Sequence, residues 1–273
     1  MIEEIDHKET LAPLSTLVSP LHTKMHLVRT AYAVKICELT ETEAYWEENL
    51  GLRLTASVIF AENGNYKRAM KISEEITSIY QRLATANPAA YEPDLAASLN
   101  NLAIRYSESG RRNEAIAPAE KAVAIRKRLA SENPSAYEPY LAGSLNNLAN
   151  RYSESGRRNE AIAPAEKARD IYERLATENP AAYEPNLANS FGTLGTIYVE
   201  LGKPLDGAVF FKRGIETLSR LFLQSPQYFS KLMANLVWCY EKNCSSDDEF
   251  QASDLYKKIV QVLKQQSSST AED

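Results

Sequence analysis

The chain has 273 residues, 44% hydrophobic and 25% charged, an ordinary globular balance. Its 31 Lys and Arg against 36 Asp and Glu leave a net charge of −5, which removes any general case for nucleic-acid binding. Cys37, Cys239 and Cys244 are too few, and odd in number, for a disulfide framework, and no apolar run approaches the ~18 residues of a membrane span.

The opening MIEEIDHKET is acidic and lacks a signal-peptide apolar region, so a soluble cytoplasmic protein is expected. Residues 1–20, with Pro13 and Pro20, read as an irregular segment. In residues 21–41, Met25, Val28, Ala31, Tyr32 and Ile36 make a helical stripe with no partner helix of its own, which predicts an N-terminal capping helix. Residues 42–87 form a divergent first unit in which Phe60, Gly64 and Ala69 sit one period before Tyr106, Gly110 and Ala115, while Arg53 replaces the leucine expected from Leu99.

The period is set by punctuation. Pro88, Pro134, Pro180 and Pro226 recur every 46 residues, as do Tyr45, Tyr91, Tyr137 and Tyr183. Self-similarity at this spacing means a stack of repeats, with units at about 42–87, 88–133, 134–179, 180–225 and 226–264. Residues 98–122 return as 144–168 with one change, Ile104 becoming Asn150. Across the two full central units nine positions differ: Ala89/Ser135, Asp94/Tyr140, Ala97/Gly143, Ile104/Asn150, Val123/Arg169, Ala124/Asp170, Arg126/Tyr172, Lys127/Glu173 and Ser131/Thr177. Apart from Ile104/Asn150, these fall where outward positions are expected to drift freely.

Each unit spells two helices. The first is expected to open at Glu92-Pro93 and stop at Gly110, with Leu95, Leu99, Leu102, Ala103 and Tyr106 on one 3.6-residue stripe. The second, with Asn113 as its cap, carries Ala115, Ile116, Ala119, Ala122, Ile125 and Leu129 inward and ends before Asn133-Pro134. Pro118 and Pro164 fall early in second helices and should bend them. The last unit loses residues in its connector and around 244–249, as a cap would, and the tail 265–273 is expected to be disordered.

The residues Leu99, Leu102, Ala103, Tyr106, Gly110, Ala115, Ala119 and Ala122 resemble the tetratricopeptide (TPR) signature. Leu145, Leu148, Ala149, Tyr152, Gly156, Ala161, Ala165 and Ala168 match it again, and Phe191, Leu194, Gly195, Tyr198, Gly202, Gly207, Phe211 and Gly214 a third time. The departure is length, since the usual unit has about 34 residues. The long format is similar to the units of kinesin light chain and of many bacterial arrays. The expected fold is all-α, a right-handed α-solenoid (TPR-like superhelix) of about five antiparallel helix pairs with an extra capping helix.

Chemistry is sparse. His7, His22 and His26 all lie in the first 26 residues, so the repeats cannot build a His-based triad. His22 and His26 share a helical spacing, but no Cys, Asp or Glu is placed to complete a metal site. Cys239 and Cys244 lack a second pair, and the GTLGT run at 192–196 lacks the lysine and the strand of a phosphate loop. No enzyme activity, cofactor or metal is expected. Arg111-Arg112 and Arg157-Arg158 read as solvated side chains at helix ends.

What remains is the groove. In the TPR family the first helix of each pair lines the concave surface, and residues beside its core stripe meet the ligand. Here the resemblance points to Asn100, Asn101, Ile104 and Glu108, then Asn146, Asn147, Asn150 and Glu154, then Asn189, Thr193, Thr196 and Glu200. Asparagine is a poor helix former, so a doubled Asn in mid-helix needs a reason. An amide both donates and accepts, and can hold the backbone of an extended peptide whatever its side chains. One Asn of each pair could instead bond the neighbouring helix and set repeat spacing. The carboxylate clamp of some TPR proteins needs Lys or Arg at these positions, so a C-terminal carboxylate ligand of that kind is not expected.

Three readings therefore stand: a non-catalytic module binding a peptide or protein segment in the groove, a self-associating scaffold, and a regulatory or sensor partner of a separate effector. None involves a membrane or nucleic acid.

Overall fold

The computed structural model describes residues 26–39, 49–245 and 249–269. The expectations for residues 1–20, His7, His22, Met25 and Tyr45 lie outside them. Among the described residues there is no strand. In chain order the helices are α1 (His26–Leu39), α2 (Leu50–Glu62), α3 (Tyr66–Ala86), α4 (Pro88–Glu108), α5 (Ile116–Glu132) and α6 (Pro134–Glu154). They continue as α7 (Arg158–Glu178), α8 (Pro180–Glu200), α9 (Pro204–Gln224), α10 (Pro226–Asn243), α11 (Glu249–Ala252) and α12 (Asp254–Ser269). The last of these extends through Gln265 to Ser269, into the segment expected to be disordered.

The first helices do not open at Glu92-Pro93. Asn87, Asn133 and Asn179 turn Oδ1 to the amides of Ala90, Ala136 and Ala182, each at 3.3 Å, and Pro88, Pro134 and Pro180 follow as first helical residues. Proline there gives up an N–H that the first turn leaves without a partner, and it holds the residue before it out of the α region. The three asparagines accordingly share one conformation, φ/ψ −143/85, −142/85 and −141/82. Pro93, Pro139 and Pro185 are interior, and the connector between pairs is itself helix. Each of α4, α6 and α8 is thus 21 residues long, which absorbs much of the extra length of the unit.

The helix ends follow the sequence. Gly64, Gly110, Gly156 and Gly202 adopt φ of 75, 84, 85 and 79°, the left-handed region where a Cβ is costly. There the amides of Arg111 and Arg157 reach back to the carbonyls of Tyr106 and Tyr152 at 2.8 and 2.9 Å, a closure that satisfies end-of-helix acceptors. Asn113 does not act as expected: α5 opens at Ile116, and its counterpart α7 opens behind Arg157 with no side-chain cap. Both helices run on through Pro118 and Pro164.

The chain divides into two compact units, Met1–Pro118 and Ala119–Asp273. In the first, α1 packs on α2, α2 on α3 and α3 on α4. Its core gathers Tyr32, Ala33, Ile36, Ile59, Phe60, Ala69, Ile72 and Ile76. Ser57 reaches Ser73 at 2.9 Å inside this core, and the buried Arg53 bonds Glu75 at 2.6 Å, so a charge stands where a leucine was expected because α3 brings its partner.

In the second unit, successive helices α6 to α10 pack each on the next, and α12 returns against α10 and α11. Arg174 pairs with Glu138 and Arg220 with Glu184, the same link between the second and first helix of two successive pairs. Core volume is redistributed along the unit. Ala149 and Ala165 of one pair become Gly195 and Phe211 of the next. A Cβ on Gly195 would stand 2.5 Å from the Phe211 ring, so only glycine admits it. The GTLGT glycines therefore serve helix packing.

Three of the nine differences between the central units, 94/140, 97/143 and 126/172, come together rather than drifting. Arg126 donates to the Tyr140 carbonyl at 2.8 Å and lies 5.3 Å from its ring centroid. Tyr172 is buried and donates to the Pro139 carbonyl at 3.0 Å. A Cβ on Gly143 would meet its hydroxyl at 3.3 Å.

Candidate functional site

The candidate residues lie on α4 in the first unit and on α6 and α8 in the second, beside the apolar stripes that anchor each helix. Leu99, Leu102 and Ala103 are buried on α4, and Leu145, Leu148 and Ala149 on α6, which fixes the rotation of both helices as the 3.6-residue stripe implies. Rotation then sorts the doubled asparagines. Asn100 and Asn146 are buried, whereas Asn101 and Asn147 are half-buried and accessible.

Asn146 is 4% exposed and its Nδ2 donates to Ser190 Oγ on α8 at 2.7 Å. Ser190 in turn donates to the Asn186 carbonyl at 3.1 Å. This amide is a strut between consecutive first helices, the spacing role weighed above, and it is not placed to meet a ligand. Thr193, one period after Asn147, is also buried. Asn189 and Thr196 are exposed, and Thr196 bonds back to the Gly192 carbonyl at 3.0 Å.

The remaining amides behave differently. Asn101 on α4, Asn147 and Asn150 on α6 and Asn189 on α8 have side chains with no hydrogen-bond partner among the described residues, and all reach solvent. Ile104, the counterpart of Asn150, is half-buried on α4. An amide pointing outward from a helix gains nothing for the fold, since it lowers helix propensity without a bond in return.

The acids of the site are already engaged. Glu108 is paired with Arg105 at 2.5 Å and Glu154 with Arg151 at 3.0 Å, both arginines being largely buried. Glu200 accepts from Ser153 and lies 3.5 Å from Arg158. Sequence reasoning missed Arg105 and Arg151 as members of this surface. Their i, i+3 spacing to Glu108 and Glu154 was the available signal. On each of these helices the glutamate is thus already paired, and the free groups beside it are neutral amides.

Where a second helix meets the next first helix, a further repeated group appears. Tyr106 donates to Glu74 at 2.9 Å with Arg111 stacked 4.5 Å from its ring centroid, and Tyr152 donates to Glu120 at 2.6 Å with Arg157 at 4.5 Å. Burial, then the bond to Glu120, pushes the Tyr152 hydroxyl up to about 12. Arg111 and Arg157 also pair with Glu114 and Glu160, so their side chains are bound to carboxylates and rings rather than turned to helix-end carbonyls.

No helix among the described residues is long and apolar enough to cross a membrane. The family model of the tetratricopeptide repeat matches twice, at residues 95–135 and 141–180. No curated protein sequence matches the chain. Among solved structures, a kinesin light chain-like protein of Podosopora anserina with nearly identical TPR-like repeats is similar at a TM-score of 0.57 and 19% identity, over 84% of this chain and 99% of that one. BtubC (BKLC) from P. vanneervenii is similar at 0.58 and 18%, over 97% and 92%. The apo form of RapI is similar at 0.55 and 15%, over 89% and 83%. Two stretches of the chain match the tetratricopeptide repeat, and its fold is of the all-α repeat-solenoid class.

Proposed function

We propose that this TPR-repeat chain is a non-catalytic protein-interaction module that holds an extended or helical segment of a partner against the first helices of its repeats. The observation that carries the reading is the split within the asparagine pairs. Asn146 is consumed by the fold, while its neighbours Asn147 and Asn150, with Asn101 and Asn189, keep donors and acceptors free at the surface. Such amides suit a peptide backbone, and Ile104 offers an apolar contact that selects a side chain. Glu108 and Glu154 are already paired with Arg105 and Arg151, and Thr196 and Asn189 are exposed on α8. Asn100, Asn146 and Thr193 serve as framework in this reading.

The experiment is affinity capture of partners from lysate by the full chain, followed by peptide mapping of the captured protein. The triple change Asn101→Ala, Asn147→Ala and Asn150→Ala should keep the melting temperature and weaken capture by more than about tenfold, since each neutral bond is worth about 0.5–1.5 kcal/mol. Capture at wild-type strength by this variant would move the binding surface elsewhere.

A further inference from the structure

In the second unit every arginine but one meets a carboxylate in an ion pair. The exception among the described residues is Arg126 on α5. Its Nη1 donates to the Tyr140 carbonyl at 2.8 Å, and its guanidinium lies 5.3 Å from the Tyr140 ring centroid. The edge formed by Nε and Nη2, with two parallel N–H groups, stays open. Burial pushes this guanidinium below its ordinary range, and the groups that oppose the shift are the Tyr140 and Tyr172 hydroxyls. Among the described residues neither an acid nor a second cation stands beside it.

The fold does not ask for a charge at this position. One period before and one after, it is Tyr80 and Tyr172, and two periods after it is Leu218. A half-buried cation without a counter-charge costs stability that tyrosine avoids there.

Arg126 also stands at the end of the surface that holds the open amides. Between Tyr140 and Asn150, the residues of α6 that are not buried are Tyr140, Gly143, Asn147 and Asn150. They fall at i, i+3, i+7 and i+10, which is one stripe of the helix. Gly143 puts no side chain between the two ends of this stripe. Tyr140 and Asn147 are about 10 Å apart along the axis, roughly three residues of extended chain.

We infer that Arg126 anchors a side-chain carboxylate of the partner segment, an Asp or Glu about three residues from the part held by Asn147 and Asn150. This anchor presupposes the segment-binding reading and adds the chemistry of the segment to it. The open edge of the guanidinium fits both oxygens of a carboxylate, and its single positive charge matches a single negative one. With a net charge of −5, the chain repels acidic segments in general, so the acid is admitted where Arg126 stands and sets the register.

Selection of a phage-displayed peptide library on the full chain tests the anchor, because peptides fused through their C-terminus offer only side-chain carboxylates. The wild type should enrich sequences with Asp or Glu at one fixed position, and Arg126→Gln should enrich the same pattern without that acid. For an enriched peptide, Arg126→Gln and replacement of the acid by its amide should each weaken binding by about tenfold in fluorescence anisotropy. Both together should weaken it no further than either alone. If Arg126→Gln does not fold, Arg126→Tyr, which restores the residue of the neighbouring repeats, replaces it. Enriched sequences with no fixed acid, or an acid whose removal costs the same in wild type and variant, would overturn the anchor and leave the segment-binding reading standing. A library from which the wild type enriches nothing would overturn both.

Discussion

The hydroxyl of Tyr172 and the α-carbon of Gly143 face each other so closely that a Cβ on the glycine would lie 3.3 Å from the oxygen. Ala97 accompanies Arg126 in the preceding repeat, and glycine appears where tyrosine replaces arginine. Tyr172→Phe loses the bond to the Pro139 carbonyl and should cost about 1 kcal/mol. Gly143→Ala gains up to about 1 kcal/mol of helix propensity and forfeits part of it to the hydroxyl. Chemical denaturation of both single variants and the double should therefore show non-additivity, with Gly143→Ala more favourable once the hydroxyl is gone.

Asn146→Ala should destabilise the fold by about 1–3 kcal/mol, because it deletes a buried amide and leaves Ser190 without its donor. Asn147→Ala and Asn150→Ala, which remove only solvent-facing amides, should stay within about 0.5 kcal/mol of wild type. Equal losses at all three positions in denaturant melts would contradict the division of the asparagines into framework and surface.

Gly195→Ala places a methyl group inside the Phe211 ring volume and should cost about 1–3 kcal/mol by overpacking. Phe211→Ala in the same chain recreates the Ala149/Ala165 arrangement of the preceding pair. The double variant should consequently be more stable than the sum of its parts, as thermal melts of the four proteins would register.

Tyr152 binds its proton more tightly folded than unfolded, its hydroxyl rising from the ordinary 10.0 to about 12. The stability that this contributes is complete below pH 10 and disappears as pH climbs through about 12. Removing the acceptor by Glu120→Gln should bring the phenolate absorbance transition of Tyr152 to lower pH. An unchanged transition would show that burial alone holds it.

The repeat period, the helical stripes and the glycine stops were legible because each depends on residues within one or two turns. Gly110 and Gly156 needed only their own backbone. The helix starts were misread because Pro88 and Pro93 compete for the same role, and what decides between them is the amide cap from Asn87. Long-range partners were also hidden. Arg126, Tyr140, Gly143 and Tyr172 stand up to 46 residues apart, and their complementarity appears only once α5, α6 and α7 are packed. Within the candidate site, the doubled asparagine was visible as an oddity, but which member turns inward depends on Ser190 of the next unit.

Single residues join the end of one helix pair to the start of the next: Asn179 alone separates α7 from α8, and Ser225 alone separates α9 from α10. Proline follows each, so the joint is confined to the extended region before any tertiary contact forms. The unfolded chain thus already samples the angle at which neighbouring pairs meet, and docking a new pair surrenders little backbone entropy at the joint. Folding of such a chain should advance by elongation, pair after pair from a formed neighbour, with local contacts keeping the search short.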